Sequence, residues 1–207
     1  MGNCCSGKEM AGDEVQEYVL SHVNPLNYIT NEAQIRSPGL VVSHVHLVAI
    51  MRLENGGNHW NMYLQTCSGQ YVKINVEPGA WPGPFGRGYL ARIDVTLRES
   101  GGPDDVHCDA VVPARHGVTV SDFLDAILHA DSHRYEFTQA GRGCTGWMRD
   151  QFLLFVQRGL LEPGHEAQVE EAIAQEWEGG LALRPWPVTR GYYLRDLDGS
   201  GHGRRRR

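Results

Sequence analysis

Cys144 stands in the run Gly141-Arg142-Gly143-Cys144-Thr145-Gly146-Trp147, where a glycine turn should open a helix. A thiol at a helix start feels the positive end of the macrodipole and the unpaired N–H groups of the first turn. Both favour the thiolate, the form that attacks a carbonyl carbon. Trp147, Met148, Phe152 and Phe155 fall near one side of the helix, so it is expected to pack inward with Cys144 at its rim. A buried structural cysteine would carry the same pattern, because cysteine is among the residues most often found inside.

A nucleophilic thiol needs a base, and His59 opens a strand-like run from His59 to Thr66. Cys67-Ser68-Gly69 joins it to a second run, Gln70 to Glu77. A three-residue loop with Gly69 in the left-handed position pairs Thr66 with Gln70. That register sets Asn61 opposite Asn75 and His59 opposite Glu77, with Asn75 diagonal to His59 on the same face. An imidazole whose tautomer is fixed by Asn75 or Glu77 would supply the second and third parts of a Cys-His-polar triad. A slip of one residue would turn the partner to the other face.

These elements need a frame, and the chain spells one out. Trp60, Met62 and Leu64 alternate with His59, Asn61 and Tyr63, and Val72, Ile74 and Val76 alternate with Tyr71, Lys73 and Asn75. Period 2 is the signature of strands. Further strands are expected in Val42–Leu53, Tyr89–Leu97, Val106–Val112 and Arg134–Phe137. Helices are expected at Val118–Asp131 (with a Thr119–Asp122 capping box), at Thr145–Gln157, and in the acidic stretch His165–Glu178. Pro78–Gly88 reads as a loop barred from sheet interior. Strands first and helices later predict an α+β fold, an antiparallel sheet packed on two to three helices, rather than a doubly wound sheet.

The chain has 207 residues and a formal net charge of −6, which gives no reason to expect a nucleic-acid partner. No apolar run approaches the roughly 18 residues of a membrane-spanning helix, and no secretory leader is visible. Five cysteines without a CxxC pair describe free thiols in a reducing, intracellular compartment. Residues 1–13 read as a flexible tail, 14–197 as one domain, and 198–207 as a disordered basic end. Within the tail, Gly2 with Ser6 matches the N-myristoylation pattern, and Cys4 and Cys5 are placed for palmitoylation. Two lipid signals anchor stably where one does not, so the expected partner is the cytoplasmic face of a membrane.

Gly141-x-Gly143-x-x-Gly146 spells a dinucleotide fingerprint, but Pro163-Gly164 and another helix follow where a parallel strand would be needed. Arg142 and Gly143 remain candidates for holding a phosphate or carboxylate at the helix start. His44, His46, His107 and Cys108 fall short of a converging metal set, and no cofactor is expected. Trp81 and Phe85 offer either a partner surface or a plug for a long loop.

The run His59-Trp60-Asn61-Met62-Tyr63 resembles the HW-x-x-Y strand of the lecithin:retinol acyltransferase-like proteins. Those are permuted papain-like cysteine hydrolases and acyltransferases, in which the histidine strand precedes a cysteine at a helix start. That group carries N-C-E-H-F around its cysteine and usually a histidine as third residue, where this chain has Gly143-Cys144-Thr145-Gly146-Trp147 and Asn75 or Glu77. A second resemblance spans most of the chain. The HW hairpin, Arg134-Tyr135-Glu136-Phe137-Thr138 ahead of Gly-x-Gly-Cys-x-x-Trp, and Pro185-x-Pro187-x-x-Arg190-Gly191 are similar to a fungal domain family of unknown function. The resemblance implies His59 as base, Cys144 as nucleophile, and Asn75 or Glu77 as orienting group. The function it implies is a thiol hydrolase or acyltransferase; the alternative is a non-catalytic binding module of the same fold, with the substrate unspecified.

Overall fold

The computed structural model describes residues 12–22, 25–84 and 86–197. Gly2, Cys4, Cys5, Phe85 and the C-terminal arginines lie outside them. In chain order the elements are α1 (Gly12–His22), β1 (Asn27–Tyr28), α2 (Glu32–Ile35), β2 (Val42–Arg52), β3 (Asn58–Thr66), β4 (Tyr71–Pro82), β5 (Tyr89–Arg98) and β6 (Cys108–Pro113). Then follow α3 (Val120–His129), β7 (Tyr135–Glu136), α4 (Cys144–Gln157), α5 (Glu166–Ile173), β8 (Gln175–Glu178), β9 (Leu181–Pro185), β10 (Tyr192–Tyr193) and a 3-10 turn at Leu194–Leu197.

Strands β2 to β5 form an antiparallel meander, with β6 beside β2 and with β7 and β10 beyond β5. Strand β1 adds in parallel to β5, and β8–β9 is a separate hairpin. This is the expected α+β fold. The turn at Cys67–Gly69 sets the register: Gly69 takes φ +83°, and the Thr66 N–H donates to the Gln70 carbonyl at 2.9 Å. Asn61 consequently faces Asn75, as the loop arithmetic requires.

Alternation does the sorting between faces. Val45, Leu47, Trp60, Met62, Leu64, Val72, Ile74, Ile93 and Val95 all point to one side, where they are buried with Phe123, Ile127, Trp147, Phe152 and Phe155 of α3 and α4. Each large side chain so removed from water contributes about 1.5–3 kcal/mol. Helix α3 starts with the expected capping box, in which the Asp122 carboxylate accepts from the Thr119 N–H at 2.8 Å.

The opposite face of an open sheet should be wet, yet His46, Asn61 and Tyr63 on it are buried. Topology supplies the reason. Strands β5 and β6 are separated by β4, β3 and β2, so the connection 99–107 must cross roughly 19 Å of sheet. It crosses on this face: Asp104 bridges to Arg98 at 2.8 Å, and Gly102 lies beside Tyr71. His46 is held between Asp109 at 2.9 Å and Gln65 at 3.0 Å.

Three expectations are corrected. The tail expected to reach Asp13 gives way to helix α1 at Gly12. The Pro78–Gly88 loop is strand as far as Pro82, paired with β5. The β3–β4 ladder has already ended at Asn61–Asn75, so both prolines sit where β4 has lost that neighbour and no rung needs their N–H. The helix expected over His165–Glu178 stops at Ile173, and Gln175–Glu178 is a strand. Tertiary partners override propensity there: the Asn58 amide bonds both the N–H and the carbonyl of Trp177, and Glu176 is enclosed by Arg52 and Arg184.

Candidate active site

The place where β3 and β4 part is where Cys144 arrives. Beyond the Asn61–Asn75 pair, β4 runs on beside β5 alone, and Asn58–Trp60 of β3 meets the first residue of α4 instead. The Cys144 thiol is placed to donate to the Asn58 carbonyl oxygen at 4.0 Å, and the nearby backbone N–H groups of Trp60 and Thr145 favour its thiolate. Its residue is only 6% exposed.

His59, half-buried, lies beside this thiol, close enough for each group to shift the other's titration. Its Nε2 lies 2.8 Å from Asn75 Oδ1, while Asn75 Nδ2 donates to Glu77 Oε2 at 3.0 Å. The amide orientation therefore presents only an acceptor to the ring, so Nε2 carries the proton and Nδ1 is left for sulfur. Glu77 is in turn bound by Arg92, which also reaches Asp94 at 3.0 Å; Asp94 accepts from Asn27 at 2.7 Å. The expected pairing of His59 with Glu77 is absent from the ladder. Glu77 pairs with Arg92 instead and reaches the imidazole through Asn75.

Electrostatics favour a charged pair. Burial pushes the Cys144 thiol up, but the hydrogen bond and charge of His59, with the N–H groups of Trp60 and Thr145, hold it below the ordinary thiol range. Burial pushes His59 down, and the Cys144 sulfur, then Asn75 and Glu77, outweigh it and hold the imidazole above its ordinary range. The contrast with Cys108 is instructive: burial, then the Asp109 charge, push that thiol up to about 11. Cys67 is exposed on the hairpin loop.

The glycines around Cys144 answer to shape. Gly143 caps α4 at φ +152°, and a Cβ there would stand 3.0 Å from the Tyr135 hydroxyl. Gly146 lets residues 189–190 cross the first turn, where its N–H donates to the Thr189 carbonyl at 3.0 Å. The Arg142 N–H is taken by Thr138 Oγ1 at 3.0 Å. Sequence reasoning missed Tyr135, whose hydroxyl donates to the Gly143 carbonyl at 2.9 Å. The signal for it was slight, an aromatic pair Tyr135 and Phe137 shortly before the glycine turn. Among the described residues no group of three or more His, Cys, Asp or Glu could hold a metal ion, and no helix is long and apolar enough to cross a membrane.

Fold and site together define an α+β domain in which a strand-borne imidazole is seated against a helix-start thiol. The chain belongs to the family described as a domain of unknown function, DUF7770, whose model matches residues 41–194 and so includes His59, Asn75, Glu77 and Cys144. None of the curated proteins and none of the solved structures matches it.

Proposed function

We propose that the domain is a papain-like thiol hydrolase or acyltransferase working through an acyl-thioester on Cys144. The observation that carries this is the contact of the Cys144 thiol with an imidazole whose far nitrogen is held by Asn75 at 2.8 Å. His59 takes the thiol proton, and the thiolate forms a bond to the carbonyl carbon of an amide or ester. The carbonyl oxygen becomes an oxyanion facing the backbone N–H of Cys144. Collapse breaks the bond to the leaving amine or alcohol, which receives the proton from His59. Water or a second acceptor, deprotonated by His59, then attacks the thioester and releases the thiolate. Asn75 keeps the ring in its working tautomer, and Glu77 keeps Asn75 from turning. The permuted papain-like chain order, with the histidine strand ahead of the cysteine helix, belongs to the same proposal.

The 6% exposure of Cys144 favours a second reading, a non-catalytic binding module in which the thiol is core. The pH dependence of alkylation, read residue by residue by peptide mass spectrometry, separates the two. On the catalytic reading Cys144 reacts with iodoacetamide at neutral pH, and its rate falls only as pH drops through a thiol pKa below the ordinary value of about 8.5. His59→Ala moves that inflection upward. A Cys144 that stays inert until the chain is unfolded would falsify the catalytic reading.

Membrane tethering through acylated Gly2, Cys4 and Cys5, with the cytoplasmic membrane face as workplace, is part of the proposal and rests on the sequence pattern alone. Full-length protein is expected to incorporate labelled myristate and to lose the label in Gly2→Ala. An unlabelled parent removes the tether and leaves the active-site reading untouched.

A further inference from the structure

We infer that Tyr135 is a positioning residue that aims the Cys144 backbone N–H at the oxyanion, an inference resting on the thioester chemistry proposed above. The Tyr135 hydroxyl donates to the Gly143 carbonyl at 2.9 Å and accepts the N–H of Gly191. The Gly143 carbonyl and the Cys144 N–H belong to one planar trans peptide, so fixing the direction of the first fixes the second in the opposite sense. The N–H that stabilises the oxyanion is thereby held from behind.

Of the N–H groups in the first turn of α4, those of Gly146 and Trp147 are committed, and that of Thr145 lies near the Cys144 sulfur and favours its thiolate. Gly146 donates to Thr189 and Trp147 to Gly143, both at 3.0 Å. The Cys144 N–H, first of the helix, has no turn of helix behind it to bond and no hydrogen-bond partner among the described residues. It is a spare donor of the turn, and Tyr135 shares with the Trp147 N–H the fixing of the Gly143 carbonyl opposite it.

The tyrosine suits the task. It is fully buried, with ring centroids 5.4 Å from Phe137 and 4.9 Å from Tyr193, so its hydroxyl has little freedom. Burial lifts its pKa above the usual phenol range, which keeps the proton in place for donation. Gly143 has φ +152°, a conformation no residue with a Cβ adopts easily, and it packs directly on the Tyr135 ring. The run from Gly191 N–H through the phenol to the Gly143 carbonyl also polarises the peptide and strengthens its N–H as a donor.

Two electrophiles test this on the full chain. Iodoacetamide loses iodide from a saturated carbon as the sulfur–carbon bond forms, and develops no oxyanion. p-Nitrophenyl acetate acylates Cys144 through a tetrahedral oxyanion: the sulfur–carbon bond forms, the carbon–oxygen bond breaks, and p-nitrophenolate leaves. Tyr135→Phe is expected to slow acetyl transfer by about 10–10²-fold, toward the low end of what losing an oxyanion donor costs. Its alkylation rate and pH inflection should stay within about twofold of the parent.

Equal slowing of both reactions, or unchanged acetyl transfer, overturns the role. Should the Phe variant not fold, 3-fluorotyrosine placed at 135 preserves shape while strengthening the donor. Acetyl transfer must then change while alkylation does not, and no change overturns the role as well. A parent Cys144 inert to iodoacetamide would instead sink the thioester chemistry itself, and this inference with it.

Discussion

His59→Ala is expected to transfer acetyl from p-nitrophenyl acetate to Cys144 about 10²–10⁴-fold more slowly than the parent at pH 7, the range that a positioned general base supplies. Two losses combine. Without the imidazole the buried thiol loses the main group that favours its charged form, so burial raises its pKa and thins the thiolate. The attack also loses the base that takes the thiol proton, while p-nitrophenolate leaves without needing one. The fold should survive, because His59 is half-buried at the edge of the β3–β4 opening and lies outside the packed face of the sheet. Thermal melting within a few degrees of the parent, with partial rescue of the rate by free imidazole, completes the expected result. Acetyl transfer within threefold of the parent would remove His59 from the chemistry.

A second large effect should come from a residue with no chemistry of its own. Gly191→Ala is expected to destabilise the chain by about 3 kcal/mol or more in urea unfolding, at the upper end for overpacking. A Cβ at Gly191 would stand 2.2 Å from the Glu136 carbonyl oxygen and 2.8 Å from the Tyr135 ring. The first contact is with the backbone of β7, which pairs with both β5 and β10 and has little room to move. The second is with the side chain that holds the Gly143–Cys144 peptide. Stability within about 0.5 kcal/mol of the parent would mean that the closing segment is not packed against Tyr135 as described.

Much of the site was legible because it is built from local rules. Gly69 and a three-residue loop fix one register, and period-2 alternation then puts His59 and Asn75 on one face. Glycines at 141 and 143 end one element, and the apolar stripe from Trp147 to Phe155 begins the next, so the start of the Cys144 helix follows to within a residue. Where sequence reasoning failed, partners distant in the chain made the decision. Gln175–Glu178 has a helical composition, yet Asn58, Arg52 and Arg184 capture it as a strand. Asn61 and Tyr63 alternate as solvent-facing residues should, yet both are buried on the face that the 99–107 connection crosses.

The amino-acid order by itself determined the α+β class, the hairpin register and the helix that opens at Cys144, because each is set by interactions within a few residues of chain. Only the tertiary structure decided that β4 leaves β3 after Asn75, that the Cys144 sulfur enters the gap beside His59, and that Tyr135 braces the peptide behind it. These contacts join residues such as Asn58 and Cys144, or Tyr135 and Gly191, across long stretches of chain. Their geometry is fixed by packing the sheet, α4 and the closing segment at once, and no single segment encodes it.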